Sequence, residues 1–500
     1  MTWKRPLLIY PYSPTKKSEQ LYGGLAIINP IGLEVVATAI RPLVDGLMLL
    51  DMRRETRPLA DLVRRFRPDL IGVSLNWGRD AYTDALIRSL PKDVTLVIGG
   101  LYPTRQPDEV LRDFPELDIL AIGYGEDTMR ELIRRGSPEG VAGLWYRRQA
   151  GAYPPDARPD GRGRGKPIPE TGGEVVKNPR RCTVDVSHFH LDRSVRRYDY
   201  PWLTLKGDNI ITSVGCPMVC AFCKWRENIF GEVQPWLARD PEDVVAELQE
   251  SDATIVHIVD ANFAHDLKRV ERICDLIIQR GVRHLYACEI RVNALWKDPA
   301  LVKKMEQAGF FMFMVGIESY QPRLLKVMRK GYTVKMCREA FKNLSRTSIL
   351  TLGNFLIGNP GETEAEMLGI ADFAADMGLD FISPNKIYAY ANTDFEQWVL
   401  AQPGYRVEGR RRYVVSDQFG IDDLRRIQAR IMLKFFRKHP PWIPYRKALA
   451  HPMVEKLGRE RIRRAMLRSL WNHVADANFR RRALKKLAKR FGGPSKAALG

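Results

Sequence analysis

The sequence predicts an α/β protein with two successive runs of parallel strands and helices, followed by a helical, basic carboxyl-terminal region. Three observations carry this expectation. Short apolar runs alternate with helix-like stretches over residues 1–150 and again over 205–400. Three cysteines, Cys216, Cys220 and Cys223 in GCPMVCAFC, directly follow the first strand of the second series. Residues 421–500 hold 22 Lys and Arg against 5 Asp and Glu, so the formal charge of +20 sits almost wholly in the tail.

In the first series the strands are LLIY (7–10), LMLL (47–50), LIGVS (70–74), TLVIGG (95–100) and DILAIG (118–123). Helix-like stretches LEVVATAI (33–40), LADLVRRF (59–66) and YTDALIRSL (82–90) lie between them. Short buried strands alternating with helices imply a doubly wound parallel sheet, which binds ligands beyond the carboxyl ends of its strands. Gly99, Gly100, Gly123 and Gly125 fall at those ends. Glycine there either admits a ligand close to the backbone or merely allows a tight turn. Residues 151–204, with GAYPPDARPDGRGRGKPIPETGG, show no period and are expected to form a linker or exposed loop.

Residues 205–400 read as six βα units. The strands are NIITS (209–213), TIVHIV (254–259), LYACEI (285–290), MFMVGI (312–317), TLGNFLIG (351–358) and FISPNKIYAY (381–390). PEDVVAELQE (241–250), ERICDLIIQR (271–280) and PALVKKMEQAG (299–309) are among the helices. Six such units predict a parallel barrel or part of one, with chemistry at the carboxyl ends of the strands, where the cysteine loop falls. Residues 401–500 read as helical, and Leu467, Leu470, Trp471 and Val474 recur at helical spacing.

No run of eighteen apolar residues exists, so no helix is expected to span a membrane. The amino terminus reads as a first strand rather than a signal peptide. Seven cysteines, four of them scattered outside the trio, make a disulfide framework a poor reading and a reduced, cytoplasmic setting the better one. Basic runs such as RERIRRAMLRS (459–469) and RRRALKKLAKR (480–490) are either a solvated face or a surface for an anionic partner. Apolar neighbours favour peripheral contact with a membrane or a partner helix, and the scarcity of aromatics in 480–490 argues against nucleic acid.

Three thiolates at CxxxCxxC spacing suit a 4Fe-4S cluster with one iron left without a protein ligand, where a small molecule can bind and react. Zinc is the alternative, but it usually takes a fourth Cys or His at matching spacing, and His190 and His257, the nearest histidines, are not so placed.

This loop, at the end of the first strand of a six-unit barrel and with Phe222 just before the last cysteine, resembles the radical S-adenosylmethionine superfamily. The resemblance implies a partial (β/α)6 TIM-type barrel. It also implies a cluster held by Cys216, Cys220 and Cys223, and S-adenosylmethionine on the open iron, split by one electron into a 5′-deoxyadenosyl radical. Further segments match in order. VDANFAHD (259–266) offers Asp260 and Asn262 near the methionine amino group, Asp260 being equally readable as a strand-end cap. CEIRVN (288–293) offers Glu289 and Arg291, and VGIESYQPRLLKVMRKG (315–331) offers Glu318. LIGNPGETEAEM (356–367) places Gly358, Gly361 and Glu362 by the ribose or adenine.

Residues 1–150 resemble the Rossmann-like cobalamin-binding domain fused to one branch of that superfamily, through NPIGLEVVATAIR (29–41), VSLNWG (73–78), VIGGLYPTRQPDEVL (97–111) and IGYGEDTMREL (122–132). The implied cobalamin-binding residues are Ser74, Trp77, Gly99, Gly100, Gly123, Gly125 and Glu126. The histidine of the DxHxxG pattern is missing, since the first His is His188. Trp77 is a candidate cover for the lower face of cobalt, or else packs between helix and sheet.

The branch implies methylation of an unactivated carbon of a small-molecule, anionic or lipid-like biosynthetic intermediate, or a cyclisation or oxidative rearrangement like that of bacteriochlorophyll synthesis. It also implies an electron donor such as flavodoxin or ferredoxin. A methylthiotransferase would carry further cysteines upstream, yet residues 1–181 have none. A non-catalytic sensor with the same cofactors is a further reading. Tyr388, Tyr390, Asn392 and His265 are candidates for the cleft, each equally readable as packing.

Overall fold

The computed structural model describes residues 2–13, 20–21, 26–76, 78–148, 174–391, 393–409 and 411–475. The chain divides into two compact units, 1–200 with 227–234, and 201–226 with 235–500.

The first unit is built on β1 (Pro6–Tyr10), α1 (Ile31–Ile40), β2 (Met48–Asp51), α2 (Leu59–Phe66), β3 (Leu70–Ser74), α3 (Ala81–Arg88), β4 (Thr95–Gly99), β5 (Ile119–Ala121), α4 (Gly125–Arg135), β6 (Leu144–Arg147) and β7 (Val175–Lys177). The strand order is β2-β1-β3-β4-β5-β6-β7. The first five strands are parallel, and β6 and β7 extend the sheet antiparallel. Alternation sends Leu7 and Ile9 to one apolar core and Leu8 and Tyr10 to the other, so both faces of the sheet are covered. The direction of winding reverses between β1 and β3, which opens a crevice at their carboxyl ends. Asp80 caps α3 by accepting from the Thr83 amide (2.9 Å), starting that helix just past the crevice.

The linker expected over 151–204 is corrected at its downstream part. Residues 174–200 belong to the first unit. They supply β7 and two short 3-10 turns, with Phe189, Leu191 and Val195 buried. These apolar residues are spaced without a helical or strand period, which is why the segment reads as loop.

The second unit carries β8 (Leu205–Ile210), α5 (Pro241–Glu250), β9 (Ile255–Ile258), α6 (Leu267–Gln279), β10 (Leu285–Ile290), α7 (Pro299–Ala308), β11 (Phe310–Glu318), α8 (Val334–Leu344), β12 (Leu350–Ile357), α9 (Glu364–Asp376) and β13 (Phe381–Lys386). Strands β8 to β13 are parallel and lie in chain order with β13 at an edge, so the barrel is partial rather than closed. The first strand begins four residues before the expected NIITS, because LKGDNI looks polar. Its buried polar groups are satisfied inside: Asp208 accepts from Ser251 Oγ (2.8 Å), and Asn209 Oδ1 lies 3.2 Å from His257 Nδ1.

The region 401–500 does not begin as a separate helical domain. After a hairpin of β14 (Tyr405–Glu408) and β15 (Tyr413–Ser416) comes α10 (Ile421–Lys438), whose Leu424, Ile427, Ile431 and Phe435 join the barrel core. Three more helices follow: α11 (Trp442–Leu449), a short one over Pro452–Lys456, and α12 (Arg459–Ala475). The side chains of Leu470, Trp471 and Val474, and the run at 480–490, lie outside the described residues. No helix among those described is long and apolar enough to cross a membrane.

Candidate active site

In the second unit the cysteine loop leaves the end of β8 through Gly215, whose φ of +77° lets the chain turn. Cys216 and Cys220 are buried and Cys223 half-buried. The loop is tied down by its own bond from the Cys223 amide to the Cys220 carbonyl (3.1 Å) and by the Ala221 amide donating to the Met328 carbonyl (3.1 Å). Burial pushes the Cys216 thiol up and that of Cys223 up to about 11. Such thiols are neutral when free and lose their protons on metal binding. Among the described residues no three His, Cys, Asp or Glu side chains converge as ligands of a single ion. A cluster spreads its thiolates over separate irons instead.

The residues expected near this loop are found in differing states. Asp260 is fully enclosed; it accepts from the Thr212 amide (2.7 Å), Thr212 Oγ1 (2.6 Å) and Ser213 Oγ (2.6 Å). Its carboxylate therefore holds the strand end that launches the cysteine loop, which is the capping alternative. Burial raises its pKa while those bonds lower it. Asn262 is 3 % exposed and its Oδ1 has no partner, so it is a buried acceptor awaiting a donor. Glu289 is partly exposed, with Oε2 3.3 Å from His257 Nε2. Arg291 donates from Nη1 to Cys220 Sγ (3.2 Å).

Glu318 sits at φ +64°, a strained conformation for a residue other than glycine, and pairs with the buried Lys330 ammonium at 3.1 Å. Lys330 also lies 5.7 Å from the centre of the Phe222 ring. Its charge thus stands beside the cysteine loop, a feature the RKG triplet does not announce. Glu362 Oε2 accepts from the amides of Gly358 (3.0 Å) and Asn359 (3.1 Å). This carboxylate braces its own turn, and burial lifts it to about 7. The Gly361 amide donates to Tyr405 Oη (2.9 Å). Tyr388 and Tyr390 meet edge to face with their hydroxyls 3.3 Å apart, and Lys224 lies over the Tyr390 ring. His265 packs edge-on to Trp236 at 4.9 Å. Asn392 and Trp77 lie outside the described residues.

In the first unit, Ser74, Gly99, Gly100, Gly123, Gly125 and Glu126 line one cavity of about 350 Å³ at the carboxyl ends of the strands. Most of its wall is apolar, from Leu8, Leu33, Val36, Val73, Val97 and Met129 among others. Gly100 has φ +108°, and a Cβ there would stand 2.7 Å from the Leu75 carbonyl oxygen, so only glycine fits. Asn76, overlooked in the sequence, also lines the cavity and accepts from the Leu101 amide (3.1 Å). Glu126 is 5 % exposed, its Oε1 has no partner, and burial raises its pKa to about 7. A buried carboxyl with an unfilled hydrogen-bonding atom in an apolar cavity fits a ligand carrying polar groups on an apolar frame. His188 is absent from the cavity wall and lies against Arg130 (2.9 Å) and Asp127 (3.3 Å).

The Radical SAM superfamily matches residues 210–374 and the B12 binding domain matches 25–133. An uncharacterized methyltransferase of Pyrococcus horikoshii is 27 % identical over 408 residues, which is 78 % of this chain and 82 % of that protein. The anaerobic magnesium-protoporphyrin IX monomethyl ester cyclase of Synechocystis is 22 % identical over 83 % of this chain and 79 % of its own length. The fold resembles that of the radical S-adenosylmethionine methyltransferase TsrM from Kitasatospora setae, solved with tryptophan and a S-adenosylmethionine analogue. The TM-score is 0.61 and the identity 17 %, covering 88 % of this chain and 90 % of TsrM. The chain is a radical S-adenosylmethionine enzyme with a cobalamin-binding domain. Its cofactors are a 4Fe-4S cluster, S-adenosylmethionine and cobalamin.

Proposed function

We propose that this enzyme methylates an unactivated carbon of a small-molecule or lipid-like biosynthetic intermediate. The observation that carries the reading is the pairing, in one chain, of the Cys216–Cys220–Cys223 loop with a glycine-lined cavity inside a B12-binding domain. The methyltransferase relative from Pyrococcus horikoshii supports it. When bound, the cluster and S-adenosylmethionine supply an adenosyl radical that removes hydrogen from substrate, and cobalamin supplies the methyl group.

The chain's residues have complementary tasks. Cys216, Cys220 and Cys223 hold the cluster as thiolates. Asp260 keeps Thr212 and Ser213 in place so that the loop starts at a fixed point. Asn262 offers its unpartnered Oδ1 to the amino group of S-adenosylmethionine. Glu289, on His257, faces the same cofactor. Ser74, Asn76 and Glu126 take the polar groups of one arm of cobalamin, and Gly99, Gly100, Gly123 and Gly125 let it approach the backbone. A low-potential one-electron protein such as flavodoxin or ferredoxin serves as reductant. The chain acts in the cytoplasm, and its basic tail meets an anionic surface there.

Anaerobic incubation with reductant and substrate extracts is expected to yield both S-adenosylhomocysteine and 5′-deoxyadenosine, with Cys220→Ala removing the latter. If S-adenosylhomocysteine is not formed while 5′-deoxyadenosine is, methyl transfer is lost. The cyclase relative would then favour the second reading, a cobalamin-dependent cyclisation or oxidative rearrangement, whose product lacks the mass of one added CH₂.

A further inference from the structure

We propose that Arg291 sets the reduction potential of the cluster through its hydrogen bond to the Cys220 sulfur, an inference that rests on the cluster reading above. Arg291 directly follows β10, and its Nη1 stands 3.2 Å from Cys220 Sγ. Its Nη2 donates to the Lys330 carbonyl oxygen (2.5 Å). The neighbouring residue Met328 accepts from the Ala221 amide (3.1 Å). One short segment, 328–330, therefore holds both the cysteine loop and the arginine that touches it.

Two kinds of hydrogen bond reach the sulfurs. Cys223 Sγ lies 3.5 Å from the Trp225 amide, a backbone donor without net charge. Cys220 Sγ receives a donor that carries a full positive charge. Lys330, also beside the loop, is paired with Glu318 at 3.1 Å, whereas the hydrogen bonds of Arg291 run to a thiol and a carbonyl, neither a carboxylate. Arg291 is thus a cation in direct contact with a cluster sulfur and without a carboxylate among those two partners.

Reduction adds one electron, taken from a low-potential donor, and makes the cluster more negative by one charge. A charged donor on a ligand sulfur stabilises that reduced form more than the oxidised one, so it raises the potential.

The test compares full-length protein, reconstituted anaerobically, with Arg291→Gln and Arg291→Lys. Iron and sulfide content are measured first. Each protein is then titrated electrochemically without S-adenosylmethionine, following cluster absorbance and the electron paramagnetic resonance of the reduced cluster. Arg291→Gln should lower the midpoint by a tenfold shift of the one-electron equilibrium, about 59 mV, and Arg291→Lys by less. An unchanged midpoint in Arg291→Gln overturns the proposal. Should the Gln variant not hold a cluster, an unchanged midpoint in the Lys variant overturns it equally. Loss of the cluster from both variants makes Arg291 an assembly residue and also overturns it. A wild-type protein that takes up no iron sinks the cluster reading itself, which separates that failure from the others.

Discussion

Glu126 and Asp260 are both enclosed carboxyls, yet their surroundings differ. Glu126 lacks a partner for Oε1 and sits in an apolar wall, so its pKa rises from an ordinary 4.5 to about 7. The folded protein then keeps a proton that the unfolded chain has lost between those values. Stability contributed by this group is greatest below about pH 4.5, falls as pH rises through the window, and the full penalty stands above about pH 7. The linkage amounts to roughly 3 kcal/mol at most. Glu126→Gln is expected to flatten this part of the stability profile and to raise the urea midpoint of the ligand-free protein at pH 8. A profile identical to wild type would show that Glu126 titrates normally. Asp260 is instead met by three donors. Asp260→Ala leaves Thr212 and Ser213 without their acceptor and should destabilise the second unit by about 3 kcal/mol. Urea unfolding followed by the fluorescence of its tryptophans would read the loss.

Helix α10 shows how an element assigned to a tail by its charge becomes part of a barrel by its packing. Leu424, Ile427, Ile431 and Phe435 repeat at three- and four-residue spacing and are all buried in the barrel core, while Arg425, Arg426 and Arg430 on other faces pair with Asp422, Asp423 and Glu364. Phe435→Ala should therefore lower the stability of the barrel by about 3–5 kcal/mol, although it lies far from the cysteine loop in sequence. A change confined to the carboxyl-terminal helices, with the barrel transition unmoved, would contradict this packing. Most elements were legible in advance: β3 and β10 begin and end where their apolar runs do, and α2 and α5 match residue for residue. The exceptions have two causes. Residues 205–208 form a strand with buried polar side chains whose partners are distant in sequence, Ser251 for Asp208 and His257 for Asn209, and β7 is short and carries no strong alternation. Local pattern cannot reveal satisfaction by remote partners.

The two units carry their candidate sites separately, each within its own fold. The triple variant Cys216→Ala, Cys220→Ala, Cys223→Ala is accordingly expected to lose cluster absorbance and iron while still binding one equivalent of added cobalamin. Loss of corrinoid binding together with iron would mean that the first unit needs the cluster to form its cavity. The charge distribution adds a property of the whole chain. With a net charge of +20 concentrated in residues 421–500, association with vesicles containing anionic lipid should fall steeply as salt rises, and removal of residues 476–500 should weaken it. Co-sedimentation that is indifferent to both salt and truncation would exclude an electrostatic surface contact.

The sequence by itself determined the two α/β units, the cysteine trio, the glycine-rich strand ends and the cofactors they imply, because periodicity, spacing and glycine placement are local and survive without knowledge of contacts. The tertiary structure decided what those residues do for one another. It showed Asp260 bound to the strand end, Glu362 bound to its own turn, Asn262 and Glu126 left with unfilled atoms, and Arg291 on the Cys220 sulfur. Each of those outcomes depends on which distant group arrives beside a side chain, and only the folded chain brings them together.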